Sequence, residues 1–353
     1  MANIAVHSER TGRAQERPDF FVVGDSPMAR GVREHLGARR VSDKSKTAHR
    51  FVGARVVVSA AHYCDFESIF RQKQERRRND LVERAEQLVV DAVIGQVERL
   101  IIISSAMVNG QRIQGDFIDD DEELSPVIDG FVGDITVFEL ALAAALERTP
   151  VKQRPQVTIL RPTAAAGTAI DTLVTRHFEA PRILLIRGID KGWQFVHVSD
   201  IARAVVTSVD HELNGALVLG ATRFEGEDAI PDELFKADLL RITGMRDIEL
   251  SEEAAFATAT RLHRVGVLPA PASDMETAVY PWSVTSRRLL EAGWRPSVSS
   301  EECLTQLMEE VRGKFGVGGR RVGHKDAAAL GAAGAAVALL STAAIWRQSR
   351  GKR

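Results

Sequence analysis

The sequence predicts an α/β chain built on a doubly wound parallel sheet, with a smaller C-terminal α/β lobe and a C-terminal hydrophobic helix. Three observations predict it. Short, continuous apolar runs alternate with helix-length stretches through the first half, as strands buried on both faces of a parallel sheet do. The first run ends on a glycine that opens into a helix-compatible stretch, and beyond about Arg182 the pattern becomes shorter and mixed.

Taken in order, residues 1–18 are polar, lack the apolar core of a secretory signal and read as a disordered lead-in. A short strand spans 19–23, and a helix over 28–36 follows it. Residues 54–61 (Ala-Arg-Val-Val-Val-Ser-Ala-Ala) form a second buried strand. Leu81, Val82, Ala85, Leu88, Val89, Ala92 and Val93 recur at helical spacing within 79–96. A third strand runs over 99–104, an apolar helix over 131–146 and a fourth strand over 156–160. Strands at 183–187 and 216–219 and helices at 198–209, 234–243, 286–292 and 300–312 complete the second unit. The expected organisation is a sheet domain over 19–182, a lobe with interleaved segments over 183–312 and a Gly- and Arg-rich linker over 313–325.

The chain is 44% hydrophobic and 27% charged, which is ordinary globular composition, and its formal net charge of −2 gives no global basic field for nucleic acid. Cys64 and Cys303 are the only cysteines and form neither a metal-spacing pattern nor a disulfide scaffold, so a reducing, cytoplasmic setting is expected. Residues 327–346 are uncharged and Ala-rich. At about 1.5 Å rise per residue they are long enough for a bilayer core of roughly 30 Å. Arg320, Arg321 and Lys325 precede this run; Arg347, Arg350, Lys352 and Arg353 follow it, with Trp346 at the junction. A membrane association through 327–346 is therefore expected, with 347–353 as a basic tail.

Gly24-Asp25-Ser26-Pro27-Met28-Ala29-Arg30-Gly31 stands between a strand and a helix, the context in which glycines let a backbone approach a pyrophosphate at a helix N-terminus. Only the first glycine of that pattern is in place. Pro27 removes an amide donor, and Arg30 puts a long side chain where helix and strand would meet.

The stronger signal is Leu100-Ile101-Ile102-Ile103-Ser104-Ser105-Ala106-Met107-Val108-Asn109-Gly110. It resembles the buried strand and Ser-Ser-Ala-x-Val-Tyr-Gly of the extended short-chain dehydrogenase/reductase superfamily, within it the NAD-dependent epimerase/dehydratase (UDP-glucose 4-epimerase-like) family, with Asn109 in place of the tyrosine. Further matches follow in order. Pro126 precedes the helix. Residues 160–167 (Leu-Arg-Pro-Thr-Ala-Ala-Ala-Gly) resemble Leu-Arg-x-x-Asn-x-x-Gly, and 195–202 (Phe-Val-His-Val-Ser-Asp-Ile-Ala) resemble Phe-x-His-Val-x-Asp-Val-Ala. Residues 290–296 (Leu-Glu-Ala-Gly-Trp-Arg-Pro) resemble Leu-Gly-Trp-x-Pro. The chain is similar to a divergent member of that family from about Asp19 to Arg312.

The resemblance implies a Rossmann-like domain, a C-terminal substrate lobe, NAD or NADP as cofactor and a nucleotide or nucleotide-sugar ligand. It also implies a homodimer formed partly through the apolar 131–146 helix. Ser105 matches the catalytic serine. Phe131 stands where the family has its acid/base tyrosine and Ile135 where it has the lysine, and neither can transfer a proton. The chain's two tyrosines, Tyr63 and Tyr280, have no lysine four residues on, so no register restores the pair. Gly24, Ser26, Met28, Arg30, Asp43, Ala60, Ala61 and Pro162 match cofactor positions. Asp43 is the acidic candidate for the adenosine ribose; Arg39 and Arg40 would suit a phosphorylated ribose but read first as a solvated turn. Asp80 or Asn79 falls near a structural asparagine. His197 reads as structural, with Asp200 capping the next helix. Residues 119–123 (Asp-Asp-Asp-Glu-Glu) read as a solvated acidic loop rather than a metal site. The expectation is a nucleotide or nucleotide-sugar binder with little or no redox catalysis; the alternative is an atypical epimerase, dehydratase or reductase using Ser105 and another acid.

Overall fold

The computed structural model describes residues 20–42, 50–61, 64–112, 115–180, 182–266, 268, 270–311, 314–317 and 320–323. Asp43, Tyr63, the polar lead-in and the 327–346 segment lie outside the described residues. Among the described residues no helix is long and apolar enough to cross a membrane.

The central sheet is built from β1 (Phe20–Val23), β2 (Arg39–Val41), β3 (Val56–Ala60), β4 (Arg99–Ile103), β5 (Gln156–Pro162) and, much later in sequence, a strand over Gly215–Leu219. Between them the chain forms β6 (Ala164–Ala166), β7 (Arg182–Ile186) and β8 (Trp193–His197), so the late strand is β9. The sheet order is β2-β1-β3-β4-β5-β9, and every neighbouring pair is parallel. Alternation sends Val56, Val58, Ile101 and Ile103 to one face and Val57, Leu100 and Ile102 to the other. Both faces are buried, which is why these strands read as continuous apolar runs.

On the first face lie α1 (Pro27–Leu36) and α6 (Val198–Asp210); on the second lie α3 (Gln74–Ile94) and α4 (Phe131–Arg148). The short helices α2 (Phe66–Ile69) and α5 (Leu173–His177) belong to the loops above the sheet. Local chemistry sets the ends of α1. The Ser26 side chain accepts from the Ala29 amide, Pro27 fills the first turn and Gly37 closes the helix in the left-handed conformation. A Cβ on Gly31 would stand 2.7 Å from Val198 Cγ2, so the glycine sets how closely α1 meets α6.

The chain leaves the sheet after β5, builds β6, β7 and β8 of the second lobe, returns with β9 and then completes the lobe, so the two units interleave. Within the lobe, β6 pairs parallel with β8, and Glu233–Leu234 pairs antiparallel with β8's other edge. β7 pairs with Arg246–Leu250. Phe178, Trp193, Phe195 and Trp282 fill the lobe's core against Cys303, Leu304 and Leu307 of the Ser300–Val311 helix.

Several expectations change. Arg39 and Arg40 are not a solvated turn; they lie in β2, paired with Phe21 and Val22 of β1. Part of the expected 313–325 linker is an antiparallel hairpin, Lys314–Val317 with Arg320–Gly323. Asp200 does not cap α6: the His197 ring accepts the Ser199 amide instead. The buried Asp200 carboxylate receives the Ser297 and Val298 amides at 3.1 and 3.2 Å and so fixes the turn after Trp294. The acidic loop is only partly solvated: Asp121 and Glu123 are exposed, but Asp120 is buried. Asp120 accepts the Val218 and Arg288 amides, both at 2.9 Å, and Asp121 accepts the Ala216 amide at 2.9 Å, which clasps the free edge of β9. That edge would otherwise expose unpaired backbone groups.

Candidate functional site

Ser105 follows β4 and caps a short 3₁₀ turn over Ala106–Asn109, its hydroxyl accepting the Met107 amide at 3.3 Å. Across from it, α4 starts at Phe131. That start is capped from far away in sequence: the Asp274 carboxylate accepts the Phe131 amide at 2.8 Å and the Val132 amide at 3.1 Å. Gly130, at φ 101°, admits the carboxylate, which would lie 2.3 Å from a Cβ there. Burial, against the opposing pull of those two amides, raises the Asp274 carboxyl to about 7.

Ser105, Phe131, Ile135 and Pro162, the last a cofactor position by sequence, come together on the wall of one cavity of about 210 Å³. Much of the rest of the wall is apolar, including Phe66, Ile69, Met107 and Leu173. Phe131 is covered on two sides: the Phe66 ring lies 4.8 Å from it, and the Arg77 guanidinium 4.1 Å. Ile135 packs into the hydrophobic cluster beneath α4, with Ala61, Val108 and Phe138.

Several of the charges around this cavity are committed to one another. Arg77 donates to Asp134 at 2.6 Å and to the Gln72 carbonyl at 2.6 Å; Arg78 donates to the other Asp134 oxygen at 2.9 Å. Asp171 is held bidentately by Arg176 at 2.5 and 2.6 Å. Behind Ser105, Glu139 pairs with Arg161 at 2.8 Å and accepts the Ser104 hydroxyl. Burial, and then the neighbouring Asp171 and Asp65 charges, push the Cys64 thiol far up, so it is inert as a nucleophile. The cavity can enclose a ring or a short apolar group and offers the Ser105 hydroxyl for a hydrogen bond. Asp134 and Asp171, bound by arginines, are poorly placed to move a proton.

Apart from Pro162, the cofactor positions among the described residues lie elsewhere. Gly24, Ser26, Met28, Arg30, Ala60 and Ala61 do not line this cavity. They cluster at the ends of β1 and β3, where the strand order reverses, the place at which open α/β sheets bind ligands. Gly24, at φ 89°, donates to the Val41 carbonyl at 2.8 Å and accepts from Arg33 at 3.1 Å. The Asp25 carboxylate is bound by Arg33 at 3.4 Å and by Arg40. Met28 is buried and Arg30 exposed. The Ala60 and Ala61 carbonyls both receive Arg84, at 2.7 and 2.5 Å. Among the described residues no group of three or more His, Cys, Asp or Glu is placed to hold a metal ion.

Sequence reasoning passed over Asp274, Arg77, Phe66 and the pairing of Asp25. Asp25 stands beside Gly24 and was open to view. Asp274 caps a helix 143 residues away, and no local pattern announces that.

By sequence, no family model and no curated protein matches the chain. By structure, the fold is that of the extended short-chain dehydrogenase/reductase, epimerase-like group. The protein gox2253 superposes with a TM-score of 0.62 at 17% identity, over 84% of this chain and 98% of that one. MoeE5, solved with UDP-glucuronic acid and NAD, gives 0.59 at 16% identity over 83% and 99%. The human epimerase family protein SDR39U1, solved with NADPH, gives 0.58 at 14% identity over 82% and 99%. Identities this low speak for the fold alone.

Proposed function

We propose that this chain binds a nucleotide or nucleotide sugar in the Ser105–Phe131 cavity and carries out little or no hydride chemistry. One observation carries the reading: the wall facing Ser105 is built from Phe131 and Ile135, side chains without a transferable proton, and the Phe131 ring is covered by Phe66 and Arg77. A positioned acid/base side chain is typically worth about 10²–10⁴ in rate, and neither residue can supply it. MoeE5, of the same fold, is solved with a nucleotide sugar, which supports the ligand class. The chain's own residues would enclose one ring of the ligand and offer it the Ser105 hydroxyl, without transferring a proton.

Calorimetric titration of the full chain with UDP and UDP-glucose, together with an assay for epimerised product, tests this. Binding without turnover is expected, with affinity reduced in Ser105→Ala and in Phe131→Ala. No heat with either ligand at about 1 mM would sink the reading. Turnover abolished by Ser105→Ala would instead establish an atypical enzyme.

A further inference from the structure

The strand–helix turn at Gly24 meets every condition of place for a dinucleotide pyrophosphate and few of chemistry. It stands at the reversal of strand order, after a buried strand and before a ten-residue helix with a left-handed C-terminal glycine. A pyrophosphate there needs unspent amides at the helix start, room against the backbone and no competing anion. The Ala29 amide is already taken by the Ser26 hydroxyl at 3.2 Å. Pro27, in the first turn, has no amide to give. Gly24 spends its own amide on Val41. The neighbouring cations, Arg33 and Arg40, both bind the carboxylate of Asp25.

We infer that this turn is filled by the chain's own groups and takes no dinucleotide, with the Asp25 carboxylate standing where a phosphate would be held. An incoming pyrophosphate has to displace a carboxylate tethered beside its two arginines, a competitor whose effective concentration is on the order of millimolar or above. It also meets that carboxylate's charge, and like charges brought together cost several kcal/mol in unfavourable cases. The helix cannot shift to make room. Val198 stands 2.7 Å from the Cβ positions of both Gly31 and Gly167, so α1 is fixed against α6 and the β6 loop. The second contact of the cofactor groove is spent in the same way, because Arg84 occupies the Ala60 and Ala61 carbonyls. This inference rests on residues outside the Ser105 cavity and holds whether or not that cavity binds a nucleotide sugar.

The experiment is calorimetric titration of the full chain with NADPH, NADH and UDP-glucose, repeated on Asp25→Ala and on Asp25→Ala with Pro27→Gly. The wild type is expected to give no heat with either dinucleotide at about 1 mM, and the double variant to gain at least about tenfold in NADPH affinity, a gain that Arg40→Ala then removes. Asp25→Asn, nearly isosteric, checks that any gain comes from the lost charge and not from altered folding. Micromolar NADPH or NADH binding by the wild type overturns the inference; so does a double variant, folded by circular dichroism, that gains nothing. UDP-glucose separates the two readings: its failure to bind sinks the cavity proposal and leaves this one standing, while NADPH binding does the reverse.

Discussion

Two regions of the molecule pair their polar groups differently. At the Ser105 end, polar groups pair with each other around the wall and leave about 210 Å³ of space. At the Gly24 end, the pairing groups themselves occupy the place where a ligand would be read. Phe131 and Ile135 at one end offer no transferable proton, and the groups at the other are paired with one another, yet only the first leaves room. Capacity depends on whether the remaining donors and acceptors turn toward one another beside a space or across it.

The comparison is broken most severely by removing the buried pair behind the open end. Glu139 and Arg161 are 2% and 4% exposed, and Arg161 also donates to the Glu122 carbonyl at 2.8 Å. Glu139→Ala leaves a buried guanidinium without its counter-charge and is expected to cost about 3–5 kcal/mol in urea unfolding. Glu139→Gln should cost less, because it keeps an acceptor. Equal, small effects of both would show that the wall of the cavity is not braced by this pair.

Acid provides the next test. His177 stacks on Trp193 at 5.2 Å, and burial lowers its pKa from 6.5 to about 4, with Lys191 adding to the effect. The folded imidazole stays neutral where the unfolded one takes a proton. Its contribution is complete above pH 6.5 and is lost as pH falls toward 4. A shift of that size corresponds to roughly 3 kcal/mol at most, and about 2 kcal/mol is expected because part of the ring remains exposed. His177→Phe keeps the stack and should flatten stability across that window; an unchanged acid limb would place the sensitivity elsewhere. Since α5 begins at the cavity wall, ligand affinity should follow the same limb.

Asp274→Ala comes next, at about 2 kcal/mol, because two amides of α4 lose their acceptor together. The same substitution should loosen Phe131 and weaken UDP-glucose binding more than it weakens the fold. A loss of stability with affinity unchanged would make Asp274 a lobe fastener and nothing more.

How much of this was legible follows from how local each cause is. The central strands announced themselves because burial on both faces forces apolar runs such as Val56–Ala60 and Arg99–Ile103. Ser105, Phe131 and Ile135 could be assigned to one site because each is anchored to such a strand or to the helix packed on it, whereas Pro162 was assigned to the cofactor positions. β2 was missed because its sequence, Arg-Arg-Val, is that of an edge strand with exposed side chains, where pairing rather than hydrophobicity makes the strand. The acidic loop was misread because its partners are backbone amides of β9 and of the turn before Arg288, and amides leave no mark in a sequence. Asp200 was assigned the nearer of two tasks and performs the farther one. For the acidic loop and Asp200 the error lies in a side chain whose partner is distant along the chain, which is also what makes Asp274 a finding of the structure.

The smallest effects distinguish the two substitutions at the closed end. Ser26→Ala removes the cap of α1 and should cost about 1 kcal/mol. Asp25→Ala removes ion pairs from a carboxylate that is 45% exposed, and such pairs contribute between nothing and about 1 kcal/mol. Asp25→Ala is therefore expected to leave the urea midpoint nearly unchanged while altering what the turn binds, and Ser26→Ala to lower the midpoint without creating an anion site, because Asp25 still holds both arginines. The order of the two is the informative quantity. If Asp25→Ala proved the more destabilising, its carboxylate would be a structural brace of the β1–β2 edge, since Arg40 is the β2 residue it binds, and the contrast between a filled turn and an open cavity would reduce to a difference in how each is held together.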